Sequence, residues 1–182
     1  KAVKRVASVA SFFVSRIDAR VDPLLDIFMA KGGLEADHAR KARGQVAIAS
    51  AKMAYQIQKE IFGGDRFKKL AARGARVQRL LWASTGTKNP DYSDIKYIEA
   101  LIGPDTVNTA PVETLDAYRD HGEPKVRLEK DIEEARCVLE RLPEQGIHIN
   151  RLTRELEIEG VEKFNQPFDK LMATLAQKSP GI

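Results

Sequence analysis

Three short apolar runs, each followed by a helical pattern, constrain this chain more than any other feature of its sequence. Residues 5–17 read Arg-Val-Ala-Ser-Val-Ala-Ser-Phe-Phe-Val-Ser-Arg-Ile. This nearly continuous run, with its β-branched and aromatic content, suits a strand buried on both faces, as parallel strands are. Residues 77–83 (Val-Gln-Arg-Leu-Leu-Trp-Ala) form a second such run, and residues 106–109 (Thr-Val-Asn-Thr) a third. The expected strands therefore lie near 6–17, 76–83 and 105–109. Strands alternating with helices imply a parallel sheet, either open and doubly wound or part of an eight-stranded barrel. No Gly-x-Gly-x-x-Gly follows any of the three, so the dinucleotide-binding version has no support.

The intervening segments read as helices. Asp22-Pro23 offers an N-cap followed by a favourable first helical residue. Apolar positions 46, 49, 53, 57 and 61 mark one long amphipathic helix over 34–62, closed by Gly63-Gly64. Further helices are expected over 66–72, through Ile95, Ile98 and Leu101, and from Pro111 to His121. The remainder is helical, with stripes at 128–142, 149–156 and 161–175. Residues 1–125 then make the strand–helix part and 126–182 a set of helices packing on it.

Composition narrows the function. The 182 residues are 43% hydrophobic and 31% charged, with no apolar run long enough for a membrane helix. No secretory signal pattern opens the chain, which starts at Lys1. That start reads as a cut rather than a natural terminus. Cys137 is the single cysteine, so no internal disulfide can form and a reducing compartment is expected. Its place in an apolar helical stripe predicts a buried core thiol.

Charge is uneven: residues 1–82 hold 17 Lys and Arg against 7 Asp and Glu, whereas residues 83–182 hold 13 against 19. The basic residues from Arg40 to Arg79 interleave with apolar ones at helical spacing, as on a solvated helix face. No nucleic-acid module accompanies them, and nucleic acid is not an expected partner. His38, His121 and His148 fall into no metal-ligand spacing, so no metal is expected.

In α/β folds the chemistry sits where strands end. Here those ends supply Ser11, Ser15 and Arg16, then Ser84, Thr85, Thr87 and Lys88, then Asn108 and Thr109. Hydroxyls with one Arg and one Lys on a common rim would cradle a phosphate oxyanion. The same residues also read as ordinary polar loop positions. No nucleophile with a partnering base appears among them.

Three motifs carry a family resemblance. Residues 8–18 (Ser-Val-Ala-Ser-Phe-Phe-Val-Ser-Arg-Ile-Asp) resemble the sixth barrel strand of transaldolases. Residues 82–90 (Trp-Ala-Ser-Thr-Gly-Thr-Lys-Asn-Pro) look like the seventh strand and loop of the longer subgroup, sometimes fused to a glucose-6-phosphate isomerase domain. Residues 102–109 (Ile-Gly-Pro-Asp-Thr-Val-Asn-Thr) are similar to the eighth. The resemblance implies a (β/α)8 barrel, of which this chain would hold the last three strand–helix units plus C-terminal helices.

It further implies a cytoplasmic pentose phosphate enzyme, free of metal and cofactor. Such an enzyme moves a dihydroxyacetone unit between sugar phosphates through a lysine Schiff base. The substrates implied are fructose 6-phosphate, sedoheptulose 7-phosphate, erythrose 4-phosphate and glyceraldehyde 3-phosphate. By position, Ser11 would lie near the substrate, and Arg16 would bind its phosphate with Ser84 and Lys88. Phe13 would wall the reacting carbon. Lys88 stands near where other subgroups place an arginine. The Schiff-base lysine and the acid–base carboxylates belong to earlier strands, ahead of Lys1, so this segment alone is expected to be inactive. Its partner would be the N-terminal half of the barrel or a second copy. A non-catalytic helical protein, binding a partner helix through the stripes at 128–142 and 161–175, is the competing reading.

Overall fold

A computed structural model describes residues Val3–Lys178. They fall into two units, one up to Ile147 and one from His148. The first unit holds the sheet: β1 (Val9–Phe13), β2 (Arg79–Ala83) and β3 (Thr106–Asn108). The three strands are parallel, in the order β1-β2-β3. The expected strands are all present but shorter than the apolar runs suggest. Helices α1 (Ser15–Lys31), α2 (Gly33–Ala42), α3 (Val46–Gly63) and α4 (Asp65–Ala71) connect β1 to β2. Helix α5 (Lys96–Ala100) connects β2 to β3, and α6 (Val112–His121) and α7 (Ile132–Arg141) follow. This is an α/β fold with a parallel sheet.

The first difference is where β1 ends. The apolar run 5–17 reads as one strand, yet the chain turns helical at Ser15 and Asp22-Pro23 lies inside α1. An interior proline removes a helical hydrogen bond and costs about 3 kcal/mol. The helix persists because it buries Ile17, Val21 and Leu25 along one face, with Asp18 and Asp22 bonded from the same face. Ser15 and Arg16 thus belong to the first helical turn, not to the strand.

The second difference is at Gly44, which splits the expected helix 34–62 into α2 and α3. Its φ of +69° is left-handed, a region glycine enters without strain. A Cβ there would meet Lys96 Nζ and the Tyr92 ring at 2.6–2.7 Å. The break lets the chain reverse and pack α1, α2 and α3 together around Val21, Leu25, Ala39, Val46, Ala47 and Ala51, all buried.

The faces of the sheet follow from period-two alternation and register. Phe12 pairs with Trp82, and their rings meet edge to face at 5.8 Å. Trp82 is fully buried and its Nε1 donates to the Leu101 carbonyl, 3.2 Å away. That side is the helix-covered one, shared by the buried Val14 and the half-buried Leu80. Val9, Ser11 and Phe13 lie on the other, exposed face.

Cys137 is exposed, not in the core. Helix α7 turns Ala135 inward, and two residues further on is roughly 200° round the axis. Of the 128–142 stripe, Leu128 precedes the helix and Leu142 lies in the 3-10 turn after it, both buried. In the second unit, α8 (Ile149–Lys178) runs unbroken through Pro167, so the two tail stripes belong to one helix. Val161, Phe164, Phe168, Leu171 and Leu175 are all exposed on it. No helix among the described residues is long and apolar enough to cross a membrane.

Gly44→Ala should destabilise the chain more than Gly146→Ala. Gly146 is also left-handed (φ +68°), but a Cβ there meets nothing within 4 Å. Backbone strain alone costs about 1–2 kcal/mol; Gly44→Ala adds the displacement of Tyr92 and Lys96. Urea midpoints for the two variants check the order.

Candidate functional site

The exposed face of β1 carries Ser11 and Phe13, opposite Leu81 and Ala83 on β2. Arg16, on the first turn of α1, places its guanidinium carbon 4.6 Å from the centre of the Phe13 ring. The two are therefore adjacent, a cation on an aromatic wall. Pairing between the first two strands continues past their ends: Val14 N donates to Ala83 O (2.9 Å) and Ser15 N to Ser84 O (3.1 Å). Ser84 has φ +54°, unusual for a residue with a side chain. So the residue that begins α1 is bonded directly to Ser84, and Arg16 follows it.

Three hydroxyls expected to offer themselves to a ligand are engaged by backbone. Thr85 is buried and its Oγ1 donates to Thr109 O (2.6 Å). Thr109 Oγ1 donates to Trp82 O (3.1 Å), and Thr87 Oγ1 to Ser93 O (2.7 Å). They shape the loop ends. Lys88 is exposed and lines a cleft of about 240 Å³ together with Ser15, Asn89, Tyr92, Asp22 and Asp26. Ser11, Phe13 and Arg16 do not line that cleft. The structure thus brings Phe13 and Arg16 together, bonds Ser84 to the start of the same helix, and leaves Lys88 on a neighbouring surface.

Beside this rim lies a buried polar network that the sequence reading missed. Asp18 Oδ1 accepts from Ala47 N (2.7 Å) and Oδ2 from Tyr97 Oη (2.8 Å). Asp22 Oδ1 accepts from Gly44 N (2.8 Å) and Oδ2 from Tyr92 Oη (2.7 Å). Lys96 Nζ stands 3.6 Å from Asp18 and 3.4 Å above the Tyr92 ring. Arg43 Nε donates to Asp26 (2.6 Å). The clue in the sequence is Asp18, Asp22 and Asp26 at four-residue spacing, which on a helix is one face. Reading 6–17 as one strand hid it, because Asp18 then stands outside any helix.

Burial dominates the titration of Asp18, Lys96, Tyr92 and Tyr97. It holds the Asp18 carboxyl above its ordinary value, although the Ala47 amide opposes it. It also pushes Lys96 down and both Tyr92 and Tyr97 up. On the surface, His121 bridges Asp94 (3.0 Å) and Asp120 (3.2 Å), and these carboxylates raise its pKa. Among the described residues no group of three or more His, Cys, Asp or Glu could hold a metal ion.

A parallel sheet with a cation resting on an aromatic ring at its carboxyl rim defines an α/β protein of the kind whose sites sit at strand ends. The chain belongs to the transaldolase/fructose-6-phosphate aldolase family, whose family model matches residues 1–175. That membership implies a (β/α)8 barrel, and the parallel three-stranded sheet is consistent with part of one. A transaldolase of a Nostoc strain is 50% identical over 98% of this chain and 48% of its own length. One from Trichodesmium erythraeum is 48% identical over 97% of the chain and 47% of itself. One from Thiobacillus denitrificans is 43% identical over 95% and 46%. The chain spans about half the length of the curated relatives it matches.

A raised carboxyl pKa binds protons in the folded state that the unfolded chain has already lost. Asp18 therefore contributes stability that is full below its ordinary value of 3.8 and is lost as pH rises through the raised value. Asp18→Asn carries no such charge. The stability of Asp18→Asn relative to the parent should rise with pH from about 4 and then level off, as read by urea unfolding at intervals up to pH 7. A relative stability that falls with pH would mean that burial does not govern this carboxyl.

Proposed function

We propose that this chain is the C-terminal half of a transaldolase barrel. In this reading the complete enzyme is a cytoplasmic member of the pentose phosphate pathway. It passes a dihydroxyacetone unit from fructose 6-phosphate or sedoheptulose 7-phosphate to erythrose 4-phosphate or glyceraldehyde 3-phosphate. The attacking amine, a lysine that forms a Schiff base with the ketose, comes from a segment outside these residues. The observation that carries the reading is identity of 43–50% over nearly all of this chain to proteins named transaldolases. The placement of Arg16 on Phe13, beside Ser84, supports it.

Within that reading each rim residue has a role. Arg16 binds the substrate phosphate; its planar fork suits two phosphate oxygens at once. Ser84 donates a hydroxyl to the same group. Ser11 faces the sugar from the exposed side of β1, and Phe13 walls the reacting carbon. Lys88 reaches the phosphate from the adjoining cleft as a flexible, exposed charge. The half of the barrel that carries the amine is the natural partner. The family match extends to residue 175, well into α8, which favours the enzyme reading over a helical interaction protein.

Two results are expected. Borohydride in the presence of fructose 6-phosphate should trap no adduct on this segment alone; an adduct on any of its lysines would refute the assignment of the amine. In the complete enzyme, Arg16→Ala should lower kcat/KM for phosphorylated substrates at least about thirtyfold. Truncating one partner of a buried charged pair costs about 2–5 kcal/mol. Phosphate-free analogues should be affected far less. Lys88→Gln, which removes an exposed charge, should lower kcat/KM about fivefold or less.

A further inference from the structure

We propose that the groove between α2 and α7 binds a small phosphorylated molecule, at a site separate from the rim of Ser11, Phe13 and Arg16. His38, Lys41, Ala42 and Gln45 occupy positions i, i+3, i+4 and i+7 of one stretch of α2 and the turn after it. Glu134, Cys137, Val138 and Arg141 repeat that spacing on α7. Such spacing lays a single stripe along a helix, and where two helices pack closely the facing stripes are apolar. Here both are mixed, and a space of about 620 Å³ stays open between them. That is the size range of small-molecule sites.

One end of the groove is fastened. Gln145, buried, donates its Nε2 to the Glu35 carbonyl oxygen at 2.9 Å, and Leu142 is buried beside it. The end of α7 is thereby tied to the start of α2, so the groove has a fixed floor of Ala42, Val138 and Leu142.

The charges point to the ligand class. Some basic groups of this unit meet acidic partners, as Arg40 does with Asp37, Arg43 with Asp26 and Arg127 with Glu123. The side chains of His38, Lys41 and Arg141, which converge on the groove, have neither an ion pair nor a hydrogen bond among the described residues. Glu134 is the one acid lining it. Glu134 and Arg141 are seven residues apart on α7, about 10 Å, so the acid does not share the Arg141 end. His38 lies one turn beyond Glu35, at that same fastened end. An arginine fork, a lysine and an imidazole above an apolar floor fit a phosphoryl group carried on a small organic body.

Cys137 reports on the site, being the only cysteine, exposed, and part of the lining. Its alkylation by neutral iodoacetamide is followed in the full chain with increasing inorganic phosphate, at ionic strength held constant with chloride. Phosphate should slow alkylation saturably, by at least about threefold. Arg141→Gln and Lys41→Gln, both exposed positions, should each raise the half-protecting concentration about tenfold, whereas Arg16→Ala should leave it unchanged. No slowing, or equal slowing in both groove variants, overturns the proposal. Loss of protection in Arg16→Ala also overturns it, because phosphate would then act through the rim and not through the groove.

Discussion

Two buried carboxylates hold this structure in its shape. Asp18 and Asp22 project from one face of α1 and receive the amides of Ala47 and Gly44, where the chain reverses between α2 and α3. Each also takes a tyrosine hydroxyl from the segment after β2. Helix α1 is thus bonded at once to the turn behind it and to the loop that follows the neighbouring strand. A buried hydrogen bond to a charged group contributes roughly 1.5–3 kcal/mol, and leaving such a group unpaired costs more. The network therefore fixes where α1 begins, and α1 fixes Arg16.

The sheet depends on a second constraint, the burial of Trp82. Its ring covers Phe12 and its indole N–H reaches the end of α5, so one side chain joins two strands to the helix layer. Strand register and helix position are specified together. The opposite face, with Ser11 and Phe13, is left for other contacts. Period-two alternation makes this an all-or-none choice: turning Trp82 inward on the helices turns Ser11 outward from them.

Much of this was legible in the sequence, and the failures have physical causes. The three strands were legible because runs such as Leu80–Trp82 have no helical period to compete with. The family was legible because its motifs combine rare residue orders at strand ends, which composition does not produce by chance. The end of β1 was not legible, because Val14, Ser15, Arg16 and Ile17 suit a strand and a helix equally well. Only the long-range bonds of Asp18 and Asp22 decide between them. The break at Gly44 was hidden for a related reason. Apolar spacing continues across it, and only the bond from its amide to Asp22 shows that the chain must turn. Phe13 and Arg16 were read as separate residues of the rim, and their contact depends on Arg16 starting a helix. The hydroxyls of Thr85, Thr87 and Thr109 misled because a sequence shows a donor but not its acceptor.

The bond from Ser15 N to Ser84 O bears on how the rim would meet a ligand. Because it extends the β1–β2 ladder into the first turn of α1, the backbone that carries Arg16 and the backbone of the serine loop are tied together rather than free to open and close like jaws. Their spacing is set when the sheet forms, before any ligand arrives. Such a seat loses little freedom on binding, so its selectivity would come from shape rather than from movement. Capture at this rim would then be governed by diffusion and desolvation, with no closing step of its own.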